Sequence, residues 1–319
     1  MKKIKNKKIV CLGGGNAMPR AVLSGLKKYP VKISVVCAML DSGGSAGRLR
    51  RDYKIVAPGD IRRAFIALSN TSPIIENLFN YRFENGQFKG HNFANLFITA
   101  LELTTNSYEK TWQEMSRLLN VQHEVLPVTL SNSNLYAVLE NGRIIVGEKN
   151  IDNPKHNGNL KIKKVFLKPR AKAYPKALEA IKKADLIIIG PGDLYSSLIQ
   201  ILLTDGISQA IQKSRAKKVY ICNLMTKYGE TNNFTVEDFQ REVEKYLKTS
   251  VDFVVFNTKK PSPKRLADFK KNNPELLKMV AFGKEILRNK KFIGKNLLTS
   301  SGPIIHKPEI LAKILISLI

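Results

Sequence analysis

Four loops of the chain carry glycines or amide side chains directly after a short apolar run. The first, Gly13-Gly14-Gly15-Asn16, precedes a segment whose apolar residues recur at helical spacing. Glycines let a phosphate approach the backbone closely, and a helix start offers free N–H groups and a favourable dipole. The loop therefore predicts a pyrophosphate site. A turn without a ligand explains it equally well, because the GxGxxG spacing fails at Met18 and no Walker A lysine follows.

The second loop, Asp41-Ser42-Gly43-Gly44-Ser45, adds a carboxylate. Dinucleotide-binding folds place the acid that binds a ribose at this point, so a nicotinamide cofactor is one interpretation, although its third motif glycine is absent. Asp41 and Asp60, both beside glycine turns, could instead hold Mg²⁺ against phosphates. Asp60 is equally suited to cap the helix predicted after it. Mg²⁺ is the one metal cofactor that these residues suggest.

The segment from Gly43 to Gly47 also matches the GxSxG nucleophile elbow of serine hydrolases. An elbow needs a helix straight after its serine, whereas the basic residues that lead to Pro58 do not predict one. No histidine is evidently paired with Ser45. We therefore expect no serine hydrolase.

Basic and amide side chains accompany these loops. Arg48 and Arg62 are suited to bidentate contacts with phosphate, whereas Arg51 and Arg63 fit solvated positions on a helix. A further polar cluster opens a predicted helix and could read a base, sugar or phosphate: His91, Asn92 and Asn95. Capping and packing explain that cluster equally well.

The third and fourth loops come late in the chain. Gly190-Pro191-Gly192 follows a strand-like run, and we include Gly190, Gly192 and the adjoining Asp193 and Tyr195 in the candidate ligand site. A carboxylate at Asp193 repels a phosphate unless it binds a ribose or a metal. Asn223 and Thr226, after the next run, are candidate polar readers. The other histidines have no metal-ligand spacing, so we expect no structural zinc.

Apolar runs near residues 8, 33, 186, 219 and 253 alternate with helical patterns. This alternation predicts an α/β fold, Rossmann-like and doubly wound, with a mainly parallel sheet and helices on both faces. The carboxyl ends of parallel strands share one edge, so all four loops should face one crevice. Glu140-Asn141-Gly142 predicts a β-hairpin. We expect one domain over residues 1–319, with a hairpin and basic excursion at about 125–170.

The formal net charge of +27 predicts non-specific attraction of polyanions. The lysine clusters lack interleaved aromatics and an RNP-type motif, so a specific nucleic-acid module is not indicated. The first residues are too basic for a signal peptide, and no apolar stretch is long enough to insert into a membrane. Three cysteines without CxxC spacing indicate reduced thiols. We expect a cytoplasmic protein.

In their order along the chain, these motifs resemble the YvcK-like gluconeogenesis factors, relatives of the CofD 2-phospho-L-lactate transferases. The resemblance runs nearly end to end and depends on Gly13-Gly14-Gly15, Asp41-Ser42-Gly43-Gly44-Ser45 with Gly47-Arg48, Pro58-Gly59-Asp60-Ile61-Arg62, His91-Asn92 with Asn95-Leu96, Ile189-Gly190-Pro191-Gly192, and Cys222-Asn223 with Met225-Thr226 and Gly229-Glu230-Thr231. The chain departs from the family's usual residues at Asn16, Ala94, Asp193 and Ile305-His306-Lys307.

The resemblance implies a Rossmann-like core that binds a nucleotide sugar such as UDP-N-acetylglucosamine. It also implies a regulatory role that links carbon flux to cell-envelope synthesis and cell shape, without catalysis. The transferase relatives imply an alternative, in which Asp41 and Asp60 hold a divalent ion while a phospholactyl group passes between a guanosine nucleotide and a deazaflavin hydroxyl. A regulatory protein partner and a homo-oligomer are left open.

Overall fold

A computed structural model describes residues 4–55 and 57–319 of the chain. Its main feature is a sheet of seven strands, and every neighbouring pair in it is parallel. Across the sheet the strands are β12 (Phe292–Lys295), β10 (Phe253–Asn257), β8 (Lys217–Ile221), β7 (Leu186–Ile189), β1 (Lys8–Gly13), β2 (Lys32–Cys37) and β3 (Glu124–Pro127). The order runs outward in opposite directions from β1 and β7, as in a doubly wound fold. The fold predicted from the sequence is confirmed.

The strands of this sheet are almost continuously apolar because both faces are covered. All four residues of β7 are buried, and so are the five that follow Lys8 in β1. A strand buried on both faces needs helices above and below the sheet. The α-helices of the described residues are α1 (Ser24–Leu26), α2 (Gly44–Tyr53), α3 (Gly59–Leu68), α4 (Pro73–Asn80), α5 (Phe93–Thr105), α6 (Tyr108–Leu118), α7 (Glu148–Asp152), α8 (Pro175–Lys182), α9 (Gln200–Leu202), α10 (Ile207–Lys213), α11 (Val236–Leu247), α12 (Pro263–Lys271) and α13 (Pro308–Ser317). Two groups of them cover the sheet, one packed around α1, α3 and α13 and the other around α8, α10 and α11.

Short π-helical turns lead into α1 and α9. They span Pro19–Leu23 and Leu194–Ile199, so each stands shortly after one of the glycine loops. A 3₁₀ turn spans Lys284–Arg288. π-Turns inside helices are frequent at functional sites.

Helix α2 begins at Gly44, directly after the Asp41 loop. The sequence prediction that no helix follows Ser45 is therefore wrong. Few of its residues are apolar, and its buried face is formed by small side chains together with Leu49. Such a helix depends on its tertiary contacts, which a periodicity test does not detect.

Two small antiparallel sheets stand outside the main one. The predicted hairpin is present as β4 (Asn134–Leu139) and β5 (Ile144–Val146), and β4 also pairs with β6 (Ile162–Lys168). Residues 124–127 pair with β2 in the main sheet, so the separate sheet begins only at Asn134. The second pair joins β9 (Met225–Lys227) to β11 (Leu276–Met279). Among the described residues, no helix has the length and apolar character needed to cross a membrane.

Candidate functional site: a two-chambered cleft

The cleft lies where the strand order reverses, between β1 and β7. Two cavities, of 240 and 380 Å³, meet there and share Gly15, Asn16 and Asp193 in their walls. Doubly wound sheets bind ligands in the crevice at this point, outside the carboxyl ends of the strands. The first loop follows β1 and the third follows β7, so their positions in the topology bring them together.

The smaller cavity, which we call the apolar chamber, is lined by apolar and amide side chains and by four charged ones, those of Arg20, Asp193, Lys227 and Glu275. Its walls include Asn223, the strands β9 and β11, and a segment before α13, with Leu224, Met225, Leu276, Ile304, Ile305 and His306. The Asn223 Nδ2 atom donates to the Gly192 carbonyl at 2.9 Å, whereas its Oδ1 atom is buried and has no partner among the described residues. That oxygen is a ready acceptor for a ligand N–H.

His306 belongs to the apolar chamber, although sequence reasoning left it out of the site. Its ring is buried, and Nε2 lies 3.1 Å from the Cys222 carbonyl oxygen. Burial lowers the pKa of His306 to about 4, so the ring is neutral near pH 7 and its Nε2–H donates to that carbonyl. His306 therefore links the C-terminal segment to the loop after β8.

The larger cavity, which we call the acidic chamber, is lined by five carboxylates and four cationic side chains. The carboxylates are Asp41, Asp60, Glu148, Asp152 and Asp193, and the cations are Arg62, Arg63, Arg82 and Lys149. Burial, opposed by the Gly43 N–H, raises the pKa of Asp41 above its usual value, and neighbouring Asp60 adds to the rise. The pKa of Glu148 is raised to about 9, first by burial and then by the charges of Asp41 and Asp152. Such a group of carboxylates retains protons or attracts cations.

In the first loop the backbone already meets a carboxylate. The Gly15 N–H donates to Asp60 Oδ1 at 2.9 Å, and Arg63 forms an ion pair with the same oxygen. A Cβ atom at Gly14 would overlap with Asp60 Oδ2, so this position must be glycine. The expectation that Arg63 is solvated is wrong, because Asp60 holds it in the cleft.

In the third loop, the Glu230 carboxylate binds the free N–H groups at the start of the π-helical turn Leu194–Ile199. Its Oε2 atom accepts from the Tyr195 N–H at 2.8 Å and the Ser196 N–H at 3.2 Å. Lys227 lies beside it and forms ion pairs with Asp152, Asp193 and Glu230. Sequence reasoning gave neither Lys227 nor Glu230 a role in the site. The signal was the family resemblance, because Glu230 belongs to the motif Gly229-Glu230-Thr231 and Lys227 lies just before it.

In the second loop, by contrast, the start of a helix is open to the chamber. The first bond of α2 runs from the Gly47 N–H to the Gly43 carbonyl at 2.7 Å, so the three preceding N–H groups have no partner within the helix. Their residues, Gly44, Ser45 and Ala46, line the acidic chamber. Asn95 lines it as well, is 4% exposed, and has an Oδ1 atom without a partner among the described residues. This part of the chamber suits an anion.

Ser45 does have a histidine neighbour, so the expectation that none is paired with it is wrong. Its Oγ lies 3.2 Å from His91 Nδ1 and accepts from the Asn92 N–H at 3.2 Å. The left-handed conformation typical of the elbow falls on Gly44, with φ 50°, and not on the serine. Asn92 in turn caps α5 by accepting from the Asn95 N–H. These bonds fasten α2 to α5 and give Ser45 a structural role.

Several candidate residues lie outside both chambers. Arg48 donates to the Lys89 carbonyl at 3.2 Å, Thr226 donates to the Lys278 carbonyl at 3.3 Å, and the Tyr195 hydroxyl donates to Glu242 at 3.0 Å. The chamber walls include neither these three nor the following candidates: Gly13, Ser42, His91, Asn92 and Gly190. The candidates that do line the cleft are Gly14, Gly15, Asn16, Asp41, Gly43, Gly44, Ser45, Asp60, Arg62, Asn95, Gly192, Asp193 and Asn223.

The carboxylates of the cleft differ in their suitability for a metal ion. One oxygen each of Asp152, Asp193 and Glu230 lies within 4.8 Å of the others, but the Lys227 ammonium pairs with all three. That group already holds one cation of the protein, at the place where its three oxygens converge. Asp41 and Asp60 line the same chamber, and the charge of Asp60 adds to the raised pKa of Asp41. Arg63 and the Gly15 N–H bind Asp60 Oδ1, so Asp60 Oδ2 and the Asp41 carboxylate are the oxygens that could hold Mg²⁺.

The fold and the cleft together define a doubly wound α/β protein with a ligand crevice at its topological switch point. Residues 9–292 match the model of the CofD family, described as 2-phospho-L-lactate transferase CofD. The chain belongs to the CofD family, in its branch of gluconeogenesis factors.

Curated relatives in that branch cover most of the chain. The gluconeogenesis factor of Bacillus subtilis is 37% identical over 297 residues, which are 91% of this chain and 92% of that protein. The gluconeogenesis factor of Halalkalibacterium halodurans is 44% identical over 237 residues, 74% of this chain and 72% of that protein. A crystal structure of a Bacillus halodurans protein from the UPF0052 family superposes with a TM-score of 0.91 at 35% identity, covering 98% of this chain and 100% of that one.

Proposed function

We propose that the cleft binds a nucleoside diphosphate sugar such as UDP-N-acetylglucosamine. In this proposal the chain is a cytoplasmic regulatory protein that links carbon flux to cell-envelope synthesis and cell shape. The observation that carries the proposal is the contrast between the two chambers, which meet at Gly15 and Asn16. In a nucleotide sugar, a flat aromatic base with its ribose and a neutral sugar rich in hydroxyl groups are joined through a charged diphosphate.

The uracil ring fits the apolar chamber. Leu224, Met225 and Ile304 provide an apolar wall, and the Asn223 Oδ1 atom is an acceptor for the uracil N3–H. A guanine base presents an N1–H and an amino group instead, for which the Glu275 carboxylate in the same chamber is an acceptor. We assign uracil to the chamber because of the Asn223 acceptor, and the comparison with GDP tests that assignment.

The diphosphate and the sugar fit the acidic chamber. The open N–H groups at the start of α2 and the Asn95 side chain face the cavity where the diphosphate would lie. Carboxylates such as Asp152 and Glu148 are acceptors for sugar hydroxyls. A cavity of 380 Å³ has room for both groups.

The charge of the acidic chamber requires a cation when a diphosphate enters. Asp41 and Asp60 are the residues that would hold Mg²⁺, and the ion would neutralise charge between the carboxylates and the phosphates. Binding of the nucleotide sugar should therefore be strengthened by Mg²⁺. Arg62, Arg63, Arg82 and Lys149 offset part of the carboxylate charge of the lining, and the ion would add to that compensation.

The second candidate function is Mg²⁺-dependent transfer of a phospholactyl group from a guanosine nucleotide to a deazaflavin hydroxyl. The observation that favours it is the same pair, Asp41 and Asp60, in a chain whose family model is named for that transferase. Such a reaction depends on metal and positioning more than on a protein nucleophile.

Calorimetric titration tests the proposal, with UDP-N-acetylglucosamine as ligand, GDP and NAD as comparators, and each run with and without Mg²⁺. We expect the UDP-sugar to bind best, and only with Mg²⁺. Asn95→Leu should weaken its binding roughly 10-fold, because the variant removes a polar group that has no partner within the protein. Thr99→Val, one turn along α5 and outside the chambers, is the matched control. Absence of UDP-sugar binding refutes the proposal, and Mg²⁺-dependent preference for GDP favours the transferase.

A further inference from the structure

A third cavity, of 310 Å³, adjoins the cleft and has the opposite charge. It shares Asn16, Arg62 and Arg63 with the acidic chamber. Its walls come from the π-turn after the first loop and from α1, α3 and α4. We call it the basic chamber, because its lining includes Arg20, Lys27, Arg62 and Arg63 but only one carboxylate, that of Glu76.

Arg62 is the best-buried cation of this chamber, with 7% of its surface exposed. Its Nη1 atom donates to the Phe79 carbonyl and to Asn80 Oδ1, both at 3.2 Å, whereas its Nε–H has no partner among the described residues. Burial and the charge of Arg63 lower the pKa of Arg62 to about 10. A buried guanidinium with an unsatisfied N–H, held among other cations, is stabilised by an anion.

Arg63 and Arg20 add two further guanidinium groups to the basic chamber. The Arg63 Nε–H is also buried without a partner, although the other end of that guanidinium pairs with Asp60. Arg20 is exposed and lines the basic chamber as well as the apolar chamber. Planar guanidinium groups match the geometry of phosphate and carboxylate oxygens.

We propose that the basic chamber binds a second ligand, a small metabolite with a phosphate or carboxylate group, at the same time as the nucleotide sugar occupies the cleft. The ligand is an oxyanion held by Arg20, Arg62 and Arg63. The three arginines also reach the cleft, Arg62 and Arg63 in the acidic chamber and Arg20 in the apolar chamber. The site goes beyond the proposed nucleotide-sugar site because the rest of its wall, which includes Lys27, Glu76 and Asn80, lies outside both chambers. A regulatory protein with two such sites can compare the levels of two metabolites.

The two sites are coupled through one chain of contacts. Arg63 pairs with Asp60, and Asp60 accepts from the Gly15 N–H at the centre of the cleft. An anion bound to Arg63 competes with Asp60 for the guanidinium group. It therefore changes the interaction of Asp60 with a bound cation and with the Gly15 N–H of the first loop. Because binding linkage is reciprocal, each ligand must change the affinity for the other by the same factor.

Titration of inorganic phosphate and of malonate into the full chain tests the proposal and distinguishes the two oxyanion classes. We expect saturable binding of at least one probe, weakened 10-fold or more by Arg20→Gln and by Arg62→Lys. Lysine keeps the charge but loses the planar fork, so the second variant tests geometry without removing the cation. Arg117→Gln, an exposed arginine paired only with Glu114, is the matched control and should leave binding unchanged. Thermal unfolding confirms that each variant is folded.

The same titration is repeated on protein saturated with UDP-N-acetylglucosamine. Binding that persists, with affinity shifted by a constant factor, supports the second site. Three results overturn the second site. They are strict competition between the probe and the UDP-sugar, unchanged probe binding in both arginine variants, and no saturable binding of either probe. If the UDP-sugar itself does not bind, phosphate or malonate binding that depends on Arg20 and Arg62 still supports the basic chamber, so the two proposals fail separately.

Discussion

At the scale of residues, the cleft brings carboxylates and cationic side chains together, and the protein compensates individual carboxylates in different ways. Lys227 is buried and meets three of them, so its ammonium acts as an internal counter-ion. Arg63 does the same for Asp60. Asp41 and Glu148 have no such partner in the described part of the chain, and the pKa of each is raised. A bound cation would therefore have its largest effect on the pKa values of Asp41 and Glu148, which it would lower.

The raised pKa of Glu148 predicts how stability depends on pH. Its folded-state pKa of about 9 lies above that of an exposed glutamate, so the folded protein keeps a proton that the unfolded chain releases. This group therefore makes the free energy of unfolding fall as pH rises from about 5 to about 9, by at most about 1.4 kcal/mol per pH unit. Glu148→Gln, which cannot ionise, should remove that part of the slope.

Urea unfolding at about pH 5, 7 and 9 measures the slope for the parent and the variant. Glu114→Gln, on the exposed face of α6, is the control and should leave the slope unchanged. Parallel stability curves for the parent and Glu148→Gln would show that Glu148 is ionised in the folded protein.

At the scale of elements, each loop after a strand brings backbone N–H groups to the cleft, but two of the three glycine loops already hold a carboxylate. Asp60 meets the first loop and Glu230 meets the third. Of these three loops, only the second brings to the chamber helix N–H groups that bind neither a helical partner nor a carboxylate among the described residues. The second loop is therefore the element that should hold the diphosphate, whereas the first loop positions Asp60.

Gly14→Ala tests this assignment of the first loop. The added Cβ would overlap with Asp60 Oδ2 and must displace that carboxylate, so the Mg²⁺-dependent affinity for UDP-N-acetylglucosamine should fall at least ~10-fold. The control is Gly142→Ala in the hairpin turn, where φ is 85° and no atom lies within 4 Å of the added Cβ. Its backbone strain should lower stability by about 1 kcal/mol and leave affinity unchanged. Equal affinities for all three proteins, measured by calorimetry, would contradict the role of Asp60.

The sequence was sufficient for the parallel sheet and for the position of the cleft. Buried strands such as β7 are short apolar runs, and the carboxyl ends of parallel strands share an edge. It was insufficient for contacts between residues far apart in the chain. Lys227 meets Asp152 and Gly15 meets Asp60 only after folding, and no spacing pattern indicates such pairs. The same limit applies to α2, whose low apolar content concealed a helix that its neighbours stabilise.

At the scale of the whole molecule, a strongly basic chain surrounds an acidic cleft. The net charge of +27 attracts anions over long range, and we propose non-specific binding of polyanions as one consequence. The carboxylates of the acidic chamber then select against anions that arrive without a divalent cation. Long-range attraction and local selection together favour a Mg²⁺-bound nucleotide.

A crystal structure of the full chain with UDP-N-acetylglucosamine and Mg²⁺ tests the central claim most directly. We expect the uracil against Leu224 and Met225, the diphosphate beside Gly15 and the start of α2, and the ion on Asp41 and Asp60. A nucleotide bound outside both chambers, or an empty cleft at saturating ligand, would contradict the account.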